Sequence, residues 1–129
     1  MSKILLIEPD RVLAASYFGA LKSAGHDVNV APGAQSAIMA ADRSMPDLVI
    51  LELQLIGHSG IEFLYELKSY SEWQNIKVII LSQVKPAEFR DSMGILKNQL
   101  GVVDFLYKPG TTLKDLVSSV NHSLNLIEV

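Results

Sequence analysis

Asp47-Leu-Val-Ile-Leu-Glu52-Leu-Gln-Leu-Ile-Gly57-His-Ser-Gly60 is the stretch on which the fold turns. Four consecutive apolar residues, Leu48 to Leu51, lead into one acidic side chain, and a loop bounded by glycines follows. A continuous rather than alternating apolar run suits a strand covered on both faces, as in a parallel sheet layered with helices. Glu52 then holds a carboxylate at the rim of that sheet.

The pattern repeats on either side. Lys3–Glu8, Asp27–Ala31, Lys77–Ser82 and Val102–Tyr107 are further short apolar runs, each spaced to leave room for a helix. Ile4 to Ile7 and Val78 to Leu81 are again continuous. Between the runs the apolar residues take helical spacing. Leu13, Tyr17, Phe18 and Leu21 make one stripe, with Gly25 placed to cap it. Ala34, Ala37, Ile38 and Ala41 make a second that ends before Pro46, and Ile61, Leu64, Tyr65 and Leu67 a third. Leu113, Leu116, Val117, Val120 and Leu124 form the clearest stripe, with Thr112 and Asp115 as a variant capping box. In residues 83–101 the spacing allows a helix after Pro86, lined by Met93, Leu96 and Leu100 and weakened by Gly94. Alternating strands and helices imply right-handed crossovers and a doubly wound α/β sheet, read here as one domain over residues 1–129.

Bulk composition excludes several classes. With 129 residues, 49% of them hydrophobic and 19% charged, the chain is long enough to bury a core and is not disordered. It has no cysteine, which removes disulfide and thiolate chemistry. A net charge of −3 offers no general attraction to nucleic acid or to an anionic membrane. No apolar run reaches the roughly 18 residues that span a bilayer. The N-terminus lacks the pattern of a signal peptide, so a cytoplasmic protein is expected.

Ligands of open α/β sheets bind beyond the carboxyl ends of the strands, where the strand order reverses. The polar residues ending these strands are Glu8, Glu52, Ser82 and Lys108. Carboxylates suit a hard divalent cation, and lysine with a hydroxyl suits phosphoryl oxygens. With that set in order, the whole chain resembles response-regulator receiver domains of the CheY-like superfamily. Ile4–Asp10 is similar to their first strand and acidic turn, Pro46–Gly60 to the third strand and its loop, and Ile76–Gln83 to the fourth. Asp104-Phe-Leu-Tyr-Lys108-Pro109 resembles the fifth strand with its Lys-Pro ending, often a cis peptide in the family. The resemblance implies a flavodoxin-like (βα)5 fold whose parallel sheet has the order 2-1-3-4-5. It also implies two-component signalling, in which a histidine kinase phosphorylates an Asp at the third-strand position. Mg2+, if held at all, falls to Glu8, Asp10, Glu52 and Gln54. Ser82 and Lys108 take the phosphate-binding places, and Phe105 that of the aromatic residue that turns inward on switching.

The chain departs from the family where chemistry is concentrated. The acidic pair maps to Glu8 and Pro9, leaving one carboxylate, with Asp10 adjacent. The acceptor position is Glu52, whose extra carbon–carbon bond moves the carboxylate out by up to about 1.5 Å. In-line transfer depends on position, and such a shift costs roughly 10²-fold. The family's Pro and Asp or Asn in the next loop are Ile56 and Ser59. Between Ser82 and Lys108 the chain is longer than usual by roughly one helical turn.

Glu52 therefore has three readings: a phosphoacceptor, a built-in partial mimic of phospho-Asp, or a packing residue. The departures favour a phosphorylation-independent, non-enzymatic module. Lys108 either binds phosphate or pairs with Glu52 or Glu8, and Ser82 and Phe105 have equally plain structural readings. His26, His58 and His122 form no metal pattern, and Tyr70 and Trp73 either meet a partner or cap the core. No output domain is expected after residue 129, so the expected route of action is through a histidine kinase, a downstream effector or a second copy. The expected contact face comprises residues 86–101, the fifth strand and the last helix. Two alternatives stand: a working Mg2+-dependent phosphoacceptor, and a structural oligomerisation module.

Overall fold

A computed structural model describes residues 2–125. Five parallel strands run in the order β2-β1-β3-β4-β5: β1 (Lys3–Ile7), β2 (Asp27–Ala31), β3 (Leu48–Leu51), β4 (Lys77–Ser82) and β5 (Val102–Tyr107). Five helices connect and follow them: α1 (Arg11–Ser23), α2 (Ala34–Arg43), α3 (Gly60–Ser69), α4 (Met93–Asn98) and α5 (Leu113–Ser123). This is the doubly wound, flavodoxin-like α/β fold that the sequence implied.

The continuous apolar runs have a simple cause, since side chains alternate across a strand and both faces are covered. Leu5, Ile7, Val49, Leu51, Val78 and Ile80 face a core closed by α2, α3 and α4. Ile4, Leu6, Leu48, Ile50, Ile79 and Leu81 face the opposite core, closed by α1 and α5. The central strands therefore need an apolar residue at every position.

Two of the expected stripe residues stand outside the core. Tyr65 on α3 and Leu113 on α5 are exposed, and Phe63 with Leu64 and Leu67 forms the buried face of α3. Gly25, with φ +93, follows the end of α1, and its amide donates to Lys22 O at 3.0 Å. Thr112 and Asp115 form the expected capping box, with both bonds at 3.0 Å.

Residues 83–101 do not form one helix. Pro86–Ser92 forms a 3-10 turn broken at Phe89 (φ −112, ψ 18), and only then does α4 begin. Leu96 and Leu100 are buried as expected, and Met93 packs against the same core. Pro86 opens the turn, where proline is tolerated, whereas the break at Phe89 and the low helical propensity of Gly94 keep the segment from forming one long helix. The Lys108–Pro109 peptide is trans, unlike the cis form often found in the family.

The β4–β5 ladder contains a bulge. Val78 pairs with Val102 but Ile79 pairs with Asp104, which leaves Val103 as the extra, exposed residue. An extra residue shifts the inside–outside phase of a strand. Val102 and Phe105, three positions apart, consequently pack on the same core.

Candidate functional site

Glu8, Glu52, Ser82 and Lys108 meet at the carboxyl end of the sheet. The two glutamates directly follow β1 and β3, the strands flanking the reversal of strand order. Their amides still continue the ladder, Glu8 N donating to Ala31 O and Glu52 N to Ile7 O, both at 3.1 Å. Ser82 ends β4 and Lys108 directly follows β5. Backbone pairing thus sets where each side chain starts.

Lys108 joins them. Its Nζ lies 2.5 Å from Glu8 Oε1 and 2.7 Å from Glu52 Oε1, with the three side chains only 6%, 3% and 3% exposed. Glu8 Oε2 accepts from the Asp10 amide at 3.1 Å. Glu52 is bonded on every side. Oε1 accepts from Lys108 and from the Gln83 amide at 3.3 Å, and Oε2 from the Ser82 hydroxyl and the Gln54 amide at 3.1 Å. A carboxylate offers about four acceptor sites, so the protein itself occupies them all. Ser82 Oγ in turn accepts from the Val84 amide at 3.1 Å.

Electrostatics follow this network. Burial by itself raises the Glu52 carboxyl, but hydrogen bonds from Lys108, Ser82 and the Gln54 amide outweigh it and hold the group below its ordinary value. Burial likewise opposes the charge on Lys108, and its bonds to Glu52 and Glu8 overcome that and raise it. Tyr17 on α1 lies within the same field. Its phenol is raised chiefly by burial, with Lys108 opposing and the acids assisting.

The remaining sequence candidates have other partners. Asp10 is the N-cap of α1, its Oδ1 accepting from Val12 N at 2.9 Å and Leu13 N at 3.0 Å. Gln54 contributes its amide to Glu52, and its side chain is exposed at the start of the following loop. Among the described residues, no group of three or more His, Asp or Glu side chains is arranged to hold a metal ion. The Lys108 ammonium lies between Glu8 and Glu52, the two carboxylates to which the sequence reading assigned Mg2+. Phe105 is half-buried and packs against Phe89, with ring centroids 5.8 Å apart.

The loop after Glu52 is tightly closed. Gly60 N donates to Leu53 O at 2.7 Å, and a Cβ at Gly60 would lie 2.6 Å from Leu53 Cα and 2.9 Å from Glu52 O. Only glycine lets α3 start this close to the acid. Trp73 is buried beside Tyr70 at 4.6 Å and caps the core, leaving Tyr70 at the surface. His26 is buried, with Nε2 2.8 Å from Asn121 Oδ1.

Two residues of consequence escaped the sequence reading. Phe89 lies in a segment without periodicity, where no pattern signals an aromatic partner for Phe105. Lys68 is buried on α3, and its Nζ donates to the carbonyls of Trp73 and Gln74 at 3.2 Å and to that of Ile76. Its position beside Phe63, Leu64 and Leu67 at helical spacing was the available signal.

A parallel sheet with charged side chains converging at its strand-order reversal belongs to the doubly wound α/β class. Within that class, the chain belongs to the response regulator receiver domain family, which it matches over residues 4–121. It is 32% identical over 126 residues to a protein-glutamate methylesterase/protein-glutamine glutaminase of Treponema denticola, covering 94% of this chain and 32% of that protein. It is 32% identical over 109 residues to the KDP operon transcriptional regulatory protein KdpE of Escherichia coli, covering 84% of this chain and 45% of that one. The chain thus spans less than half the length of these relatives. Its fold is similar to that of chemotaxis response regulator CheY4 of Vibrio cholerae, with a TM-score of 0.83 at 19% identity over 95% of this chain and 98% of the other. As a receiver domain it is a component of two-component signalling. Among the described residues, no helix is long and apolar enough to cross a membrane.

Proposed function

We propose that this receiver domain signals by protein–protein contact without phosphorylation of Glu52, with the Lys108 ammonium as the resident cation of its site. The observation that carries this reading is the full set of four hydrogen bonds on the Glu52 carboxylate. A nucleophile needs a free lone pair facing the donor, and a divalent cation needs carboxylate oxygens turned toward it. Here those positions are filled, and Lys108 neutralises one of the two buried negative charges. The network links the ends of β1, β3, β4 and β5 through this chain's own side chains.

In this reading the output face comprises residues 86–101, β5 and α5. It presents exposed Ile95, Val103 and Leu113 and rests on the Phe89–Phe105 contact. Its partner is a histidine kinase, a downstream effector or a second copy of the chain, and the domain catalyses nothing itself.

The test is incubation with radiolabelled acetyl phosphate and Mg2+, in parallel with amide NMR spectra taken with Mg2+ and then beryllofluoride. The expected result is no incorporated label and no shift at Glu8, Glu52, Ser82 or Lys108. Label that disappears in Glu52→Gln, or shifts spreading from the site to Phe105, would overturn the proposal.

A further inference from the structure

Away from this site, α2 and α3 leave a groove between them that the receiver reading does not use. Three adjoining cavities, of about 590, 540 and 240 Å³, share Met39 as a common wall. The first lies between α2 and the start of α3, the second runs toward the loop after Glu52, and the third ends at Tyr70 and Trp73. Met39 is 58% exposed and Ile56 is 85% exposed, an unusual position for two large apolar side chains at the same groove. Methionine adapts its shape to a partner more readily than branched side chains do.

The rim has one sign of charge. Asp42, Glu62, Glu66 and Glu72 line the cavities, and no lysine or arginine does. Among the described residues none of these four acids takes part in an ion pair. An apolar floor between unpaired carboxylates matches one kind of ligand: an amphipathic helix with an apolar stripe flanked by lysine or arginine. The ten residues of α2 extend about 15 Å, long enough to seat roughly three turns of such a helix. The same acids would repel an anionic lipid surface. We infer that the α2–α3 groove, centred on Met39 and rimmed by Asp42, Glu62, Glu66 and Glu72, is a docking surface for a basic amphipathic helix of a partner protein. It lies apart from the α4–β5–α5 face and does not depend on the chemistry of Glu52.

The experiment uses the full chain, isotopically labelled, and a synthetic helix of roughly 14 residues, or about four turns. The probe carries leucine at i, i+3, i+4 and i+7 and lysine elsewhere, and a second peptide has glutamate for every lysine. The expected result is that the lysine peptide shifts amides in residues 32–42 and 56–73, and that raised ionic strength weakens it. The glutamate peptide should not bind. Glu62→Lys/Glu66→Lys and, separately, Met39→Asp should each weaken binding by about tenfold or more. All three positions are exposed, so unchanged thermal unfolding midpoints will show that the variants are folded. Shifts confined to residues 86–101, equal binding of both peptides, or unchanged binding by both variants would overturn the proposal. So would self-association without peptide that is lost in Met39→Asp, because the occupant would then be a second copy of the chain.

Discussion

Lys108 and Glu52 come from strands that do not touch, yet their side chains meet at 2.7 Å across the end of the intervening strand β4. The same ammonium reaches Glu8 beyond β3 at 2.5 Å. One lysine therefore ties the outer strand β5 to the centre of the sheet and pairs with both buried acids, neutralising one of their two charges.

Removing it should be costly. Lys108→Met leaves Glu8 and Glu52 buried together without a counter-charge, and breaking a buried pair this way costs about 3–5 kcal/mol. Urea unfolding at neutral pH should show a loss of that size. Adding Glu8→Gln and Glu52→Gln to Lys108→Met should recover much of it, because the charges left unpaired are then gone.

The same network fixes the pH response. The Glu52 carboxyl is held below its ordinary value of 4.5, so its contribution is present above that pH and is lost as pH falls through the folded-state value. Lys108 is raised above 10.5, so its contribution is present below that pH and is lost as pH climbs through the folded-state value. Urea midpoints measured against pH should fall at both ends, and Glu52→Gln should flatten the acid limb.

Lys68 should behave in the opposite sense. Burial pushes its ammonium down to about 8, from 10.5. Between those values the unfolded chain binds more protons than the folded one, so this lysine makes stability rise with pH across the window. Comparing wild type with Lys68→Met across pH 8 to 10.5 isolates that slope. At neutral pH the substitution removes the donor to the carbonyls of Trp73, Gln74 and Ile76 but also removes a buried charge. A net loss of about 1–3 kcal/mol is expected, set by those buried acceptors.

Gly60→Ala should destabilise through overpacking, by about 1–3 kcal/mol. The added Cβ meets backbone at Leu53 Cα, which cannot rotate away as a side chain would. The amide resonance of Gln54, which donates to Glu52, should move with it.

Phe89 and Phe105 should be energetically coupled. Tilted aromatic pairs contribute about 0.5–1.5 kcal/mol beyond their buried area. A double-mutant cycle of Phe89→Leu and Phe105→Leu should return a coupling in that range. No coupling would show that the 3-10 turn at Pro86–Ser92 moves independently of β5.

Five apolar runs and four helical stripes were enough to read the sheet, its helices and the strand ends from which Glu8, Glu52, Ser82 and Lys108 project. That information is local, because a strand buried on both faces needs apolar residues throughout and a helix needs them every three or four. Local patterning failed in residues 83–101, where proline, glycine and Phe89 impose no single period, and at Tyr65 and Leu113, which fit a stripe but lie at its exposed edge. It also could not reveal the bulge at Val103, which exists only relative to the strand beside it. Whether Lys108 would face a phosphate or a carboxylate was open in the sequence for the same reason. The lysine lies 56 residues from Glu52 along the chain, and only the packing of β3, β4 and β5 side by side brings them together. The sequence by itself thus determined which residues stand at the rim, because burial and periodicity are properties of each segment. The tertiary structure alone decided that a buried ammonium fills the space between two glutamates, because that contact depends on the distances between strands.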